Sequence, residues 1–178
     1  MTPARLGERA LVARGPAVWL PWVLLGHVVV LAGIGLVQGR SPDHVAVDVA
    51  AVGVFTALSF WGGLTERARS VAVAIGLMVA ASVFVHLTGG SVESHFYFFV
   101  VLGLLALYDD WLPFAAATSA VLVEHGLVGM LAPDAVFGEQ RSNTDALQLA
   151  VVHGVYVLLA SAIYLTVWRW HHTLRLEA

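Results

Sequence analysis

Long apolar stretches alternate with short polar breaks along the whole chain. From Ser70 to Tyr108 the only charged residue is Glu93, from Trp111 to Pro133 the only one is Glu124, and from Ala146 to Trp168 there is none. A hydrocarbon core of roughly 30 Å asks about 20 apolar residues of a helix that crosses it. The pattern predicts six such spans, near 17–38, 45–64, 70–88, 91–108, 111–132 and 146–168. Backbone groups in hydrocarbon must bond within their own segment, so the expected fold class is all-α. The expectation is one polytopic membrane bundle of six helices over 1–178, with no second domain, linker or internal repeat. The first apolar run is long, follows Arg5, Glu8, Arg9 and Arg14, and has no small-residue cleavage site behind it, so no cleaved signal peptide is expected. A loop of about a dozen residues is expected near 133–145, and the other connections are short.

Composition sharpens this picture by what it removes. The apolar set makes up 59% of the residues and the charged set 12%, against roughly 45–50% and about 25% in a soluble domain. A disordered chain and an ordinary soluble enzyme are excluded. All nine basic residues are Arg, and the net charge of -3 offers no basic surface to a phosphate backbone. The bilayer is therefore the implied partner, and nucleic acid is not. The absence of cysteine excludes disulfides, thiolate metal sites and a Cys nucleophile. With the N-terminus in the cytoplasm, Arg5, Arg9, Arg14, Arg67, Arg69, Arg169 and Arg175 fall inside and only Arg40 and Arg141 outside. That is the positive-inside pattern, and it puts both termini in the cytoplasm.

Candidate chemistry follows from depth. The apolar stretch Phe96–Tyr108 is too short to cross alone, so the fourth span must take in Glu93 and His95. Gly89-Gly90 permits a tight turn before it, and Ser91 is a natural N-cap. His125 lies about 20 Å along its span from the cytoplasmic face, with Glu124 beside it. His27, Asp48, His86 and His153 fall in the same outer half, and no ionisable group falls in the inner half. Ionisable residues at membrane depth face the bundle interior and have a partner or a function. Imidazole with carboxylate is the donor set for Zn, Fe, Cu or Mn when thiolates are absent. The expected metal ligands are His86, Glu93, His95, Glu124, His125 and His153, with Asp48 and Tyr156 as supporting groups behind them.

Plainer readings stand beside this one. The histidines can serve as interhelical or interfacial hydrogen-bonding groups, but the two glutamates need a cation, and no Lys or Arg lies within a span. Asp48 is expected to reach the interface and pair with Arg40, and His44 is read as a loop residue. His171 and His172 sit at a cytoplasmic helix end, where cationic groups are favoured. The run Phe96-Tyr97-Phe98-Phe99 reads as packing and lipid-facing material.

The segment Gly89-Gly90-Ser91-Val92-Glu93-Ser94-His95-Phe96-Tyr97-Phe98-Phe99, continued by Leu107-Tyr108-Asp109-Asp110-Trp111, Glu124-His125 and Val136-Phe137-Gly138, resembles a known arrangement. It is similar to the multi-helix membrane region at the N-terminus of some bacterial chemotaxis transducers, sensor histidine kinases and diguanylate cyclases. The resemblance covers roughly 86–153 and rests on Gly89, Gly90, Glu93, His95, Asp110, Trp111, His125 and His153. It implies a membrane-embedded input module for a small ligand or a redox cue, in the plasma (inner) membrane of a bacterium. No kinase, methyl-accepting or cyclase output follows the sixth span, so a stand-alone module acting through a separate cytoplasmic or membrane signalling partner is expected.

Three function classes remain open at this point. The first is a sensory or binding module holding a transition metal ion, Zn, Fe or Cu. The second is a protein binding haem b through two of His27, His125 and His153, with Gly26, Gly126 and Gly154 making room. The third is an intramembrane metalloenzyme using Glu93 or Glu124 as a general base, for which the familiar His-Glu-x-x-His spacing is missing. Small residues such as Ala115, Ala116, Ala117, Gly126 and Gly129 suit close helix packing or a homodimer face.

Overall fold

A computed structural model of the chain describes residues 15–108, 110–137 and 143–177. Arg5, Glu8, Arg9, Arg14, Asp109, Gly138 and Arg141 lie outside the described residues, as do the side chains of His171, His172 and Arg175. All regular structure among the described residues is helical. The long elements are α1 (Gly15–Val37), α2 (Pro42–Phe60), α3 (Glu66–Leu87), α4 (Val92–Leu105, extended by a 3-10 turn, Ala106–Tyr108) and α5 (Trp111–Val123). α5 runs on through a π-helical stretch, Glu124–Val128, and a last α-turn, Gly129–Leu131. A short α6 (Pro133–Phe137) and a long α7 (Asn143–Glu177) complete the chain.

The helix starts are set by local chemistry. Thr65 Oγ1 accepts from the Ala68 N–H, Ser91 Oγ from Ser94 N–H, and Asp110 Oδ1 from Leu112 N–H, each satisfying a donor that the first helical turn leaves open. Pro42 occupies the first turn of α2, where its missing N–H costs nothing. The α3–α4 turn is made by Gly89 and Gly90, both at φ +72°, with the Gly90 N–H donating to the Val85 carbonyl.

Among the described residues, five helices are long and apolar enough to cross a membrane: Gly15–Val37, Pro42–Phe60, Glu66–Leu87, Trp111–Leu131 and Leu147–Trp170; the helix Val92–Tyr108 is shorter. α3 is the central post. It packs against α1, α2, α4 and α5, and 61% of its most apolar stretch is buried, against 17–28% for the other four long helices. The outward faces of those helices carry Trp22, Val29, Val54, Leu127, Val151 and Ile163, all exposed. Such faces suit lipid, where association rests on close packing rather than on escape from water. Gly76 shows the closeness: a Cβ there would stand 2.7 Å from both Leu24 Cδ2 and Phe55 Cβ, so three helices meet where only hydrogen fits.

Several expectations are corrected here. The second helix is 42–60 rather than 45–64, because Pro42 starts it early and the turn around Gly62 and Gly63 ends it early. His44 is therefore a first-turn helical residue and not a loop residue. The segment expected as a plain loop near 133–145 contains α6, and α7 begins inside it at Asn143. Of the small residues suited to a homodimer face, Ala117 is fully buried within the chain. Gly129 is likewise occupied internally, since a Cβ there would meet Phe137 at 2.7 Å.

Candidate functional site

Three imidazoles from three helices converge. His95 comes from the first turns of α4, His125 from the π-helical stretch after α5, and His153 from the first third of α7. Their ring centroids stand 5.4 Å apart for His95–His125, 5.0 Å for His95–His153 and 5.4 Å for His125–His153. His95 and His125 are buried, at 3% and 2% exposure. Phe98 packs edge-on against His125, and Phe137 of α6 stacks on His95 while also touching the other two rings. The result is a largely buried imidazole cluster with aromatic walls, open to one side at His153.

Each ring is held the same way. Nδ1 of His95 donates to the Ser91 carbonyl at 2.8 Å, that of His125 to the Val121 carbonyl at 3.1 Å, and that of His153 to the Leu149 carbonyl at 2.8 Å. A carbonyl only accepts, so Nδ1 carries the proton and a neutral ring leaves its Nε2 lone pair free. Nε2 of His95 is buried without any hydrogen-bond partner. An Nδ1–H bonded to a backbone carbonyl is also how metal-ligating imidazoles are commonly oriented. Glu124 adds negative charge: its Oε2 lies 2.5 Å from His125 Nδ1, beside the N–H rather than along it, and gains no hydrogen bond there. A mostly buried carboxylate in that position favours a cation nearby.

The other sequence-predicted residues are distributed elsewhere. Glu93 is exposed in the first turn of α4. His86 ends α3 beside His44, ring centroids 5.9 Å apart. Asp48 faces His44, with Oδ2 at 3.4 Å from Nε2, and Arg40 also approaches that Nε2, at 3.5 Å. The expected Asp48–Arg40 pair is thus replaced by an i,i+4 pair with His44, which sits one turn before it on the same helix face. One ligand atom from each of His44, Asp48 and His86 lies within 4.8 Å of the others, and among the described residues this is the group that meets so close a spacing. The triad at His95 is looser, and its three rings would have to draw together to share one ion.

His27 has its own partner. Its Nδ1 donates to the Val23 carbonyl, and Nε2 stands 2.5 Å from the Tyr97 hydroxyl on α4. That pair lines an apolar recess of about 390 Å³ between α1, Phe84 and Tyr97. Tyr156 is exposed on α7. Sequence reasoning missed Tyr97 as the partner of His27, Phe137 as the wall of the triad, and His44. Of these only His44 carried a usable signal, the four-residue spacing to Asp48.

No family model matches the chain, and no solved structure matches it. The chain is 27% identical over 157 residues to the transducer protein Htr8 of Halobacterium salinarum. The match covers 82% of this chain and 24% of that protein, so the chain spans about a quarter of the length of its curated relative.

Proposed function

We propose that the chain is the membrane-embedded input part of a sensory system, with six spans and both termini in the cytoplasm. It perceives a small ligand or redox cue at a transition metal ion held by His95, His125 and His153 in the outer half of the bundle. The single observation that carries this reading is the meeting of three imidazoles from α4, α5 and α7, two of them buried and His153 partly so, each with Nδ1 tied to a carbonyl. The similarity to a transducer protein supports the sensory part. The haloarchaeal source of that relative leaves the kind of cell open, and the membrane proposed is the plasma membrane.

Zn, Fe and Cu all accept imidazole nitrogen, and Glu124 would offset the ion's charge from behind His125. The bound ion would supply an open coordination position for the perceived ligand. The residues themselves fix three rings, exclude water with Phe98 and Phe137, and join three helices. Because α7 continues from His153 to Glu177, a change at the triad is transmitted along one rigid rod of about 36 Å.

The test is metal analysis of detergent-purified protein. His95→Ala and His125→Ala are each expected to lose the triad's metal. His171→Ala, about 27 Å farther along α7 than His153, is expected to retain it. Equal retention in all three variants removes the basis of the reading. A Soret band in the purified protein would instead identify haem as the cofactor.

A further inference from the structure

We infer that a second, separate divalent-cation site lies where the start of α2 meets the end of α3, built from His44, Asp48 and His86 and guarded by Arg40. It goes beyond the function proposed above and does not rest on the triad.

The first observation is the geometry. One ligand atom from each of the three residues falls within 4.8 Å of the others, a spacing that a single ion closes with bonds of about 2.0–2.2 Å after a small inward turn of the side chains. Two imidazoles and one carboxylate suit Zn and the neighbouring first-row metals. Three protein ligands leave a position for water, and the His44 side chain, 45% exposed, keeps the site in reach of solvent.

The second observation is an unresolved demand on one nitrogen. Nε2 of His44 has the Arg40 guanidinium at 3.5 Å, which calls for a lone pair there, and Asp48 Oδ2 at 3.4 Å, which calls for a positive charge. The same Oδ2 is shielded from solvent and has no hydrogen-bond partner. A cation between His44, Asp48 and His86 satisfies the lone pair and the carboxylate together. Arg40 is the charge it must push aside, so Arg40 acts as a resident cation that the metal displaces. Occupancy would staple α2 to the C-terminal end of α3, next to the Gly89-Gly90 turn that leads into α4 and His95.

The experiment is zinc titration of the full chain in detergent, after chelator treatment, followed by calorimetry and by competition with a chelating dye. Wild type is expected to lose roughly one bound zinc per chain in His86→Asn and in Asp48→Asn. Arg40→Gln is expected to bind zinc about tenfold more tightly, because one competing charge a few ångströms away is gone. His44→Asn, at an exposed position, replaces His86→Asn if the latter does not fold. His125→Asn, titrated in parallel, reports on the triad alone. Zinc stoichiometry and affinity that are the same in wild type, Asp48→Asn and the histidine variants overturn the site, as does Arg40→Gln binding no more tightly than wild type.

Discussion

The ring of Phe137 lies parallel to that of His95, with 8° between the planes and 6.0 Å between the centroids. Phe137 belongs to the five-residue helix α6, and the same ring fills the space a Cβ on Gly129 would need. One aromatic side chain therefore closes the imidazole triad and fastens the end of α5. Phe137→Ala removes both contacts and leaves a cavity, so it is expected to cost about 3 kcal/mol of stability. Thermal unfolding followed by circular dichroism in detergent measures this, and an unchanged midpoint would show that the ring is not packed as described.

Gly76 makes a sharper case for backbone proximity. Gly76→Ala puts a methyl group 2.7 Å from Phe55 Cβ, an atom fixed to its backbone, and from Leu24 Cδ2. α1, α2 and α3 must separate to admit it, at a cost of about 1–3 kcal/mol. Gly26→Ala, inside α1 where nothing stands within 4 Å of the added carbon, is expected to be at least as stable as wild type, by up to about 1 kcal/mol, in the same unfolding assay.

Tyr97→Phe removes the hydroxyl that meets His27 Nε2 while keeping the ring against Phe84. The loss is expected to be about 1 kcal/mol, the usual net worth of one hydrogen bond. The double change Tyr97→Phe with His27→Phe is expected to cost less, relative to wild type, than the two single changes added together, which a double-mutant cycle reads directly.

A null result is expected at the other end of the bundle. Arg67 donates two hydrogen bonds of 3.1 Å to the Asp110 carboxylate and lies over Trp111 at 5.7 Å from the ring centroid. The two ion-pair partners are 51% and 31% exposed, and solvent screens such pairs. Arg67→Ala is expected to cost about 0.5 kcal/mol or less, decreasing further with added salt. A loss several times larger would mean that this pair anchors the α5 start.

Hydropathy made the helices legible because it counts residues along the bundle axis. It does not report azimuth, and azimuth decides which groups meet. Glu93 and His95 share a depth, yet residues two apart on a helix point about 200° apart, so His95 enters the cluster while Glu93 is exposed. His86 was expected with His95 on the same ground, and its direction brings it to His44 instead. α6 was illegible for another reason: five residues are too few to show a helical period. The ends of α2 were misplaced because hydropathy averages over Pro42 and the Gly62-Gly63 turn, which act at single positions.

The π-helical stretch Glu124–Val128 sets the register of everything that follows it in the helix. There the Gly129 N–H reaches back five residues to the Glu124 carbonyl, so the segment holds one residue more than an α-helix of the same rise. Removing that one residue would restore the α-helical register and turn everything on one side of the stretch by about 100° relative to the other, so the bulge is what lets α5 bury both Val121 and His125 on one side while still meeting Phe137 at Gly129.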